Sequence, residues 1–175
     1  MKKLFFIFTI LIAGLLFTSC KSTIELLNKK QDSVKMERFK AILVLTAENG
    51  FYKDDEYRFS GAATTKSVKN KLRPYGSVVD ITSLSSYKQL DSNLLSQYDY
   101  VIFPELFHWE DRFTGLNFKP DKVTLALTVF DNNSHVLNYI EIKGTSQKAT
   151  LDFNDPIELV DKALDIYVPQ LFEEN

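Results

Sequence analysis

The sequence is poor in the residues that build most catalytic and metal centres. Its 175 residues hold one cysteine, two histidines and one tryptophan. A single thiol excludes an internal disulfide and a cysteine-based zinc site. The two histidines, His108 and His135, fall in different predicted elements, which leaves little for a histidine-ligated metal. The charges nearly cancel, 21 basic against 23 acidic side chains, so the basic excess of a nucleic-acid binder is missing. No GxGxxG or GxxxxGKS/T phosphate loop occurs, and no GxSxG elbow, HExxH or CxxC motif. No repeat or low-complexity stretch appears, and no apolar run reaches the roughly 20 residues that a bilayer-crossing helix needs.

What is present begins at the amino end. Lys2 and Lys3 precede an almost wholly apolar run of 14 residues, Leu4 to Phe17. That length fits the apolar region of a secretory signal. The only cysteine closes the segment. Phe17-Thr18-Ser19-Cys20 resembles the bacterial lipobox, in which the thiol takes a diacylglycerol thioether and the cysteine becomes the new amino terminus. The resemblance implies that residues 1–19 are a leader and that acylated Cys20, carrying palmitate-type chains, anchors the protein in a lipid bilayer. Several chains hold stably where one holds only marginally. Lys21 follows the cysteine, and by the enterobacterial sorting pattern a residue other than Asp there implies the outer membrane, facing the periplasm.

Residues 20–38 are rich in Lys, Ser, Asn and Gln and are expected to form the lipidated cysteine and a flexible tether. Its 18 residues after Cys20 would span roughly 23 Å root-mean-square. Ile24, Leu26 and Leu27 could dock part of this stretch on the domain. Residues 39–175 are expected to form one α/β domain. Phe39 to Thr46 is apolar on both alternating faces, the mark of a central strand covered on both sides. A polar loop from Ala47 to Tyr57 leads to a predicted helix over Ser60 to Tyr75, with Thr65, Val68, Leu72 and Tyr75 on one face and Ser60 as its cap. Ser77 to Thr82 reads as a strand, Tyr87 to Gln97 as a helix, and Tyr98 to Leu106 as a third strand. Alternating strands and helices imply parallel strands. Lys122 to Asp131 and Val136 to Thr145 flank the short turn Asn132–His135, which predicts an antiparallel hairpin. Pro156 to Leu171 reads as a last helix, capped by Asp155.

The expectation is a mixed five-stranded sheet, three strands parallel and two in a hairpin, covered by about three helices. This element order resembles the amino-terminal domain of the periplasmic TolB protein. It also resembles the curli-secretion and penicillin-binding-protein activator lipoproteins. Likeness of fold implies no activity.

The most unusual string is His108-Trp109-Glu110-Asp111-Arg112, expected in the loop that follows the third strand. Ligands of parallel sheets gather beyond the carboxyl ends of the strands, and the acidic loop with Glu48, Asp54, Asp55 and Glu56 should open on the same edge. His108 and Glu110, two apart, share a side of an extended chain. They could serve acid–base work or offer two metal ligands. Trp109 reads as a packing residue or a stacking platform, Asp111 with Arg112 as a local ion pair or as binders of backbone amides, and Arg112 could instead grip an anionic group. This string, with the lipobox, Ser60-Gly61, Tyr98-Asp99-Tyr100 and Pro120-Asp121, is similar to a family of uncharacterised bacterial lipoproteins that carry a His-Trp-Glu-Asp-Arg motif. The family has no established activity to carry over.

The expected function is therefore that of a non-enzymatic binding or assembly module of the cell envelope, anchored to lipid, with an envelope protein or glycan as partner. No cofactor, metal or nucleic acid is expected. The competing expectation is an envelope hydrolase using His108 with Glu110 or Asp111, and a weaker third is a component of an oligomeric secretion pore.

Overall fold

The computed structural model describes residues 22–112, 119–146 and 155–172. The expected leader and Cys20 lie outside them. In chain order the strands are β1 (Thr23–Lys29), β2 (Ala41–Leu45), β3 (Phe51–Tyr52), β4 (Asp55–Glu56), β5 (Val78–Thr82), β6 (Tyr100–Glu110), β7 (Lys122–Asp131) and β8 (Val136–Thr145). The helices are α1 (Ser60–Leu72), the four-residue α2 (Ser92–Leu95) and α3 (Pro156–Tyr167), with 3-10 turns at Tyr87–Gln89 and Pro169–Leu171.

The main sheet runs β1-β8-β7-β6-β2-β5. β2 pairs in parallel with β5 and β6, and every other pairing is antiparallel. The α/β class, the mixed sheet and the hairpin agree with expectation. The strand count does not: there are six, because Thr23–Lys29 is no free tether but pairs with β8 from Thr23↔Thr145 to Lys29↔Ile140. Unpaired backbone groups on the outer side of β8 are satisfied by this segment. Ile24 packs against the core, while most of the strand is exposed.

β2 shows why the sheet has two differently covered faces. Ile42 and Val44 enter the larger core, with Val68 and Leu72 of α1 and Leu159, Val160 and Leu164 of α3. Leu43 and Leu45 point the other way into a small cluster with Val101, Tyr87, Leu90, Leu94 and Tyr98. That second cover is slight. The expected helix over Tyr87–Gln97 is a 3-10 turn and one turn of α-helix, broken where Leu90 turns extended and Asp91 caps the next segment by accepting from Leu94 N–H. Among the described residues, no helix lies over the far part of this face, along β7, β8, β1 and the end of β6.

Local chemistry fixes the helices on the opposite face. Asp155 caps α3 by accepting from Ile157 N–H at 3.0 Å, and Pro156 fills its first turn. α1 begins differently from expectation. Phe59 stands at the cap in a left-handed conformation (φ 70°), and Ser60 is the first helical residue. The Ser60 hydroxyl donates to Tyr57 O and accepts from Gly50 N–H, tying the preceding loop to the helix. Gly61 is required here, since a Cβ would stand 2.2 Å from Ala47 O. Thr65 then accepts from Ala47 N–H at 2.8 Å.

Gly144 on β8 plays a comparable part for α3: a Cβ there would meet Leu159 Cβ at 2.9 Å and Ile24 Cδ1 at 3.4 Å. Gly144→Val is expected to push α3 off the sheet and destabilise the fold by about 1–3 kcal/mol, as overpacked cores do. The shift of the urea midpoint measures it.

Candidate functional site

β6 is longer than the sequence suggested. It continues through Glu110, so the His108–Glu110 string is strand rather than loop. A bulge between Leu106 and His108 absorbs one residue against β7, and the register resumes with His108↔Thr124, Trp109↔Val123 and Glu110↔Lys122. Bulges re-aim side chains near the ends of strands. Here the alternation sends Trp109 to the helix-covered face and His108 and Glu110 to the open one.

Trp109 is a core residue, 5% exposed, packed with Val123 and Leu125. It is no stacking platform. Gly50 lies directly over it, where a Cβ would come within 2.6 Å of Trp109 Cβ. The indole thus docks the loop after β2 onto the end of β6.

Glu110 is buried, its side chain 2% exposed. Its Oε1 takes the Arg112 guanidinium through Nε and Nη2. Its Oε2 lies 3.3 Å from His108 Nε2 and 3.7 Å from Lys122 Nζ. Burial alone would push the carboxyl up. The hydrogen bonds from Arg112 and His108 and the charges of Arg112 and Lys122 outweigh it and hold the carboxyl below its usual range.

Arg112 is fixed in turn. Nη2 donates to Tyr52 Oη at 2.8 Å, its guanidinium lies 5.2 Å from the Tyr52 ring centre, and its backbone N–H donates to Asp121 Oδ1 at 2.6 Å. Asp121 is fully buried and also accepts from Ser146 Oγ. Tyr52 meets His108 edge-on at 5.4 Å.

The expected pairing of Asp111 with Arg112 is not formed. Neighbours in an extended chain point to opposite sides, so Arg112 joins Glu110. Asp111 has its carboxyl raised by burial and by Asp155. The two loops expected to converge do so, since Tyr57 Oη donates to Asp111 O and Tyr52 reaches Arg112. Two acids of the first loop, however, are engaged elsewhere: Glu56 accepts from Asn49, and Glu48 from Ser85. His135 does not join the site. It sits in the β7–β8 turn, where its ring and N–H bond Asp131.

Together with Leu27, Phe107, Thr124, Glu141 and Lys143, this cluster borders a shallow concavity of 480 Å³ on the open face. Among the described residues no group of three or more His, Cys, Asp or Glu side chains could hold a metal ion. What the arrangement offers is a polar recognition surface. A fixed carboxylate and a fixed guanidinium are flanked by two lysines, an imidazole and the exposed ring of Phe107. Tyr52, Lys122 and Asp121 were not legible as site residues.

The family model described as Domain of unknown function (DUF4823) matches residues 34–171, and the chain belongs to that family. No curated relative matches the sequence. Among solved structures, the PelC dodecamer from Paraburkholderia phytofirmans shares the fold with a TM-score of 0.62 at 16% identity, covering 87% of this chain and 99% of that one. A single-substitution form of the same PelC gives 0.59 at 15% identity with the same coverage. A DUF330 protein from Xanthomonas campestris gives 0.49 at 10% identity, covering 81% of this chain and 86% of that one.

Testable outcomes follow from the site's packing and charge. Trp109→Ala is expected to cost about 3–5 kcal/mol, and Gly50→Ala about 1–3 kcal/mol by displacing the indole, both read from denaturant midpoints. Arg112→Met alone strands a buried carboxylate, so it should destabilise more than the double variant Glu110→Gln/Arg112→Met, which removes both charges. Because folding lowers the Glu110 pKa, its contribution is complete above the ordinary carboxylate range and is lost as pH falls through the folded value. The stability gap between the native protein and Glu110→Gln should therefore shrink below about pH 4. Glu105, Asp111 and Asp121 are raised by burial and act in the opposite sense, their penalty easing as pH falls.

Proposed function

We propose that this DUF4823 protein is a lipid-anchored module of the bacterial cell envelope that works by binding rather than by catalysis. Its contact surface is the open face of the sheet around Tyr52, Phe107, His108, Arg112, Lys122 and Lys143, and its partner is an envelope protein or glycan. The anchor rests on the leader ending at Cys20, and the outer membrane on Lys21. The observation that carries the binding role is the state of Glu110. A carboxylate clamped by Arg112 and flanked by Lys122 is held ionised. It is a poor proton donor and a weak base, whereas a general acid or base works best with a pKa near the operating pH. The same clamp gives a rigid, charged pattern suited to recognition. Asp111, the other carboxylate considered for hydrolysis, lies on the far side of the chain from His108.

A second reading, self-assembly, has its own support. PelC, whose fold this chain shares, is a dodecamer. The outer strands β1 and β5 leave Leu26, Leu27, Val78 and Ile81 exposed at the two edges of this sheet. Edges of this kind invite pairing with another chain. Light scattering of the detergent-solubilised protein decides this point: a mass of one chain ends the reading.

The binding reading is tested with a photo-crosslinking residue at Phe107, compared with one at Lys66 on the exposed side of α1. A partner captured from Phe107 and lost on Lys122→Glu or Lys143→Glu, with unchanged circular dichroism, is the expected result. Equal capture from both positions, or capture indifferent to those charges, would count against this face. An unmodified thiol at Cys20 in protein taken from its native membrane would remove the anchor.

A further inference from the structure

The pairing of β1 changes how far an acylated Cys20 could let the domain stray. As a flexible tether, residues 21–38 would leave the body free to tumble roughly 23 Å from the lipid. β1 instead begins at Thr23. Only three residue steps separate Cys20 from the sheet, a reach of at most about 11 Å. The place where β1 begins also defines an end of the molecule. Thr23 pairs with Thr145, Thr145 with Lys122, and Lys122 with Glu110, so these four residues form one row across the ends of four strands. The β7–β8 turn lies at the opposite end, roughly 30 Å away along ten-residue strands.

The surface near that row suits a lipid headgroup layer. Phe51, Phe59 and Phe107 are 50%, 80% and 53% exposed. Phe51 and Phe59 belong to the loop beyond the carboxyl end of β2, which packs against the end of β6, and Phe107 stands at the β6 bulge. Phe59 is held in a left-handed conformation that bulky residues rarely adopt. Exposed aromatic rings settle at membrane interfaces, where their apolar bodies leave water. Arg58 and Lys122 supply cations nearby, but Asp54 and Asp55 offset them. Net charge is therefore not what selects this end.

We propose that β1 acts as a short leash that stands the sheet on end upon the bilayer. The Glu110–Lys122–Thr145–Thr23 row and the exposed rings of Phe51 and Phe59 face the headgroups, and the β7–β8 turn points away. This rests on the lipid-anchored reading above. It places the open sheet face sideways, just above the membrane, so that a partner approaches along the bilayer plane.

The test uses the full acylated protein in vesicles of phosphatidylethanolamine with a minor share of phosphatidylglycerol, carrying a quencher on the headgroups. A fluorophore is attached to Asp54→Cys at the leash end or to Asn133→Cys in the far turn. With the two ends roughly 30 Å apart, quenching at Asp54→Cys should exceed that at Asn133→Cys by at least about threefold. The ratio should be indifferent to salt and to Phe39→Ser at the far end. A Gly/Ser insertion of about twenty residues between Lys21 and Ser22, spanning roughly 25 Å, should bring the ratio towards one. Equal quenching in the native protein, a reversed ratio, or a ratio that survives the insertion overturns the leash. Mass spectrometry of the same sample keeps the two readings apart. An acylated Cys20 with equal quenching sinks the orientation alone, whereas a bare Cys20 sinks the anchor and the leash together.

Discussion

A carboxylate buried at the end of a strand must be neutralised or it unfolds its surroundings. Glu110 meets that demand with Arg112, and the rest of the site is arranged around the pair. Arg112 can reach Glu110 because both lie on one side of the chain, two residues apart. Its position is then over-determined by the Tyr52 hydroxyl and by Asp121, which receives its backbone N–H. Tyr52 arrives on the small β3–β4 hairpin, which Gly50 seats on Trp109 from the other face of the same strand. One residue apart, Trp109 and Glu110 therefore hold the same loop from both faces, the first by packing and the second through charge.

The asymmetry of the sheet gives this pair its setting. α1 and α3 press on one face and meet each other through Lys71–Asp165 and Ser67–Asp161. Among the described residues, the opposite face is roofed near β2 by the Tyr87–Leu95 segment. Beyond that roof the outward positions of β6, β7 and β8 turn to His108, Glu110, Lys122, Thr124, Glu141 and Lys143. A solvated face of an antiparallel stretch alternates in this way. What distinguishes it is that Glu110 and Arg112 are paired and held in place at its end.

Much of this was legible because period-two and period-3.6 patterns are local. The double-sided apolar run of β2, the Asn-rich turn before Val136 and the Asp155-Pro156 start of α3 all carry their meaning within a few residues. The failures share a different cause. Thr23–Lys29 has no face of its own and becomes a strand only because β8, at the other end of the sequence, offers an edge. The Tyr87–Gln97 stretch has helical spacing, but Asp91 makes a better cap than interior residue and splits it. His108 to Glu110 looked like loop because charged residues interrupt the apolar pattern; the bulge before His108 shifts the register and hides the alternation. The two-residue spacing of His108 and Glu110 puts them side by side, yet their partners Tyr52 and Lys122 come from segments that only the folded sheet assembles.

The Thr23–Thr145 pairing also bears on the order in which the molecule is made. Its two strands are separated by about 120 residues, a loop whose closure is slow and entropically costly. In a chain that emerges amino end first, the earliest strand must wait, unpaired, for one of the last. It can join only once β8 is present, so its pairing, and the docking of Ile24 on the core that comes with it, is a contact made late and across most of the sequence. The same logic makes it the first piece to peel away under force applied from the amino terminus.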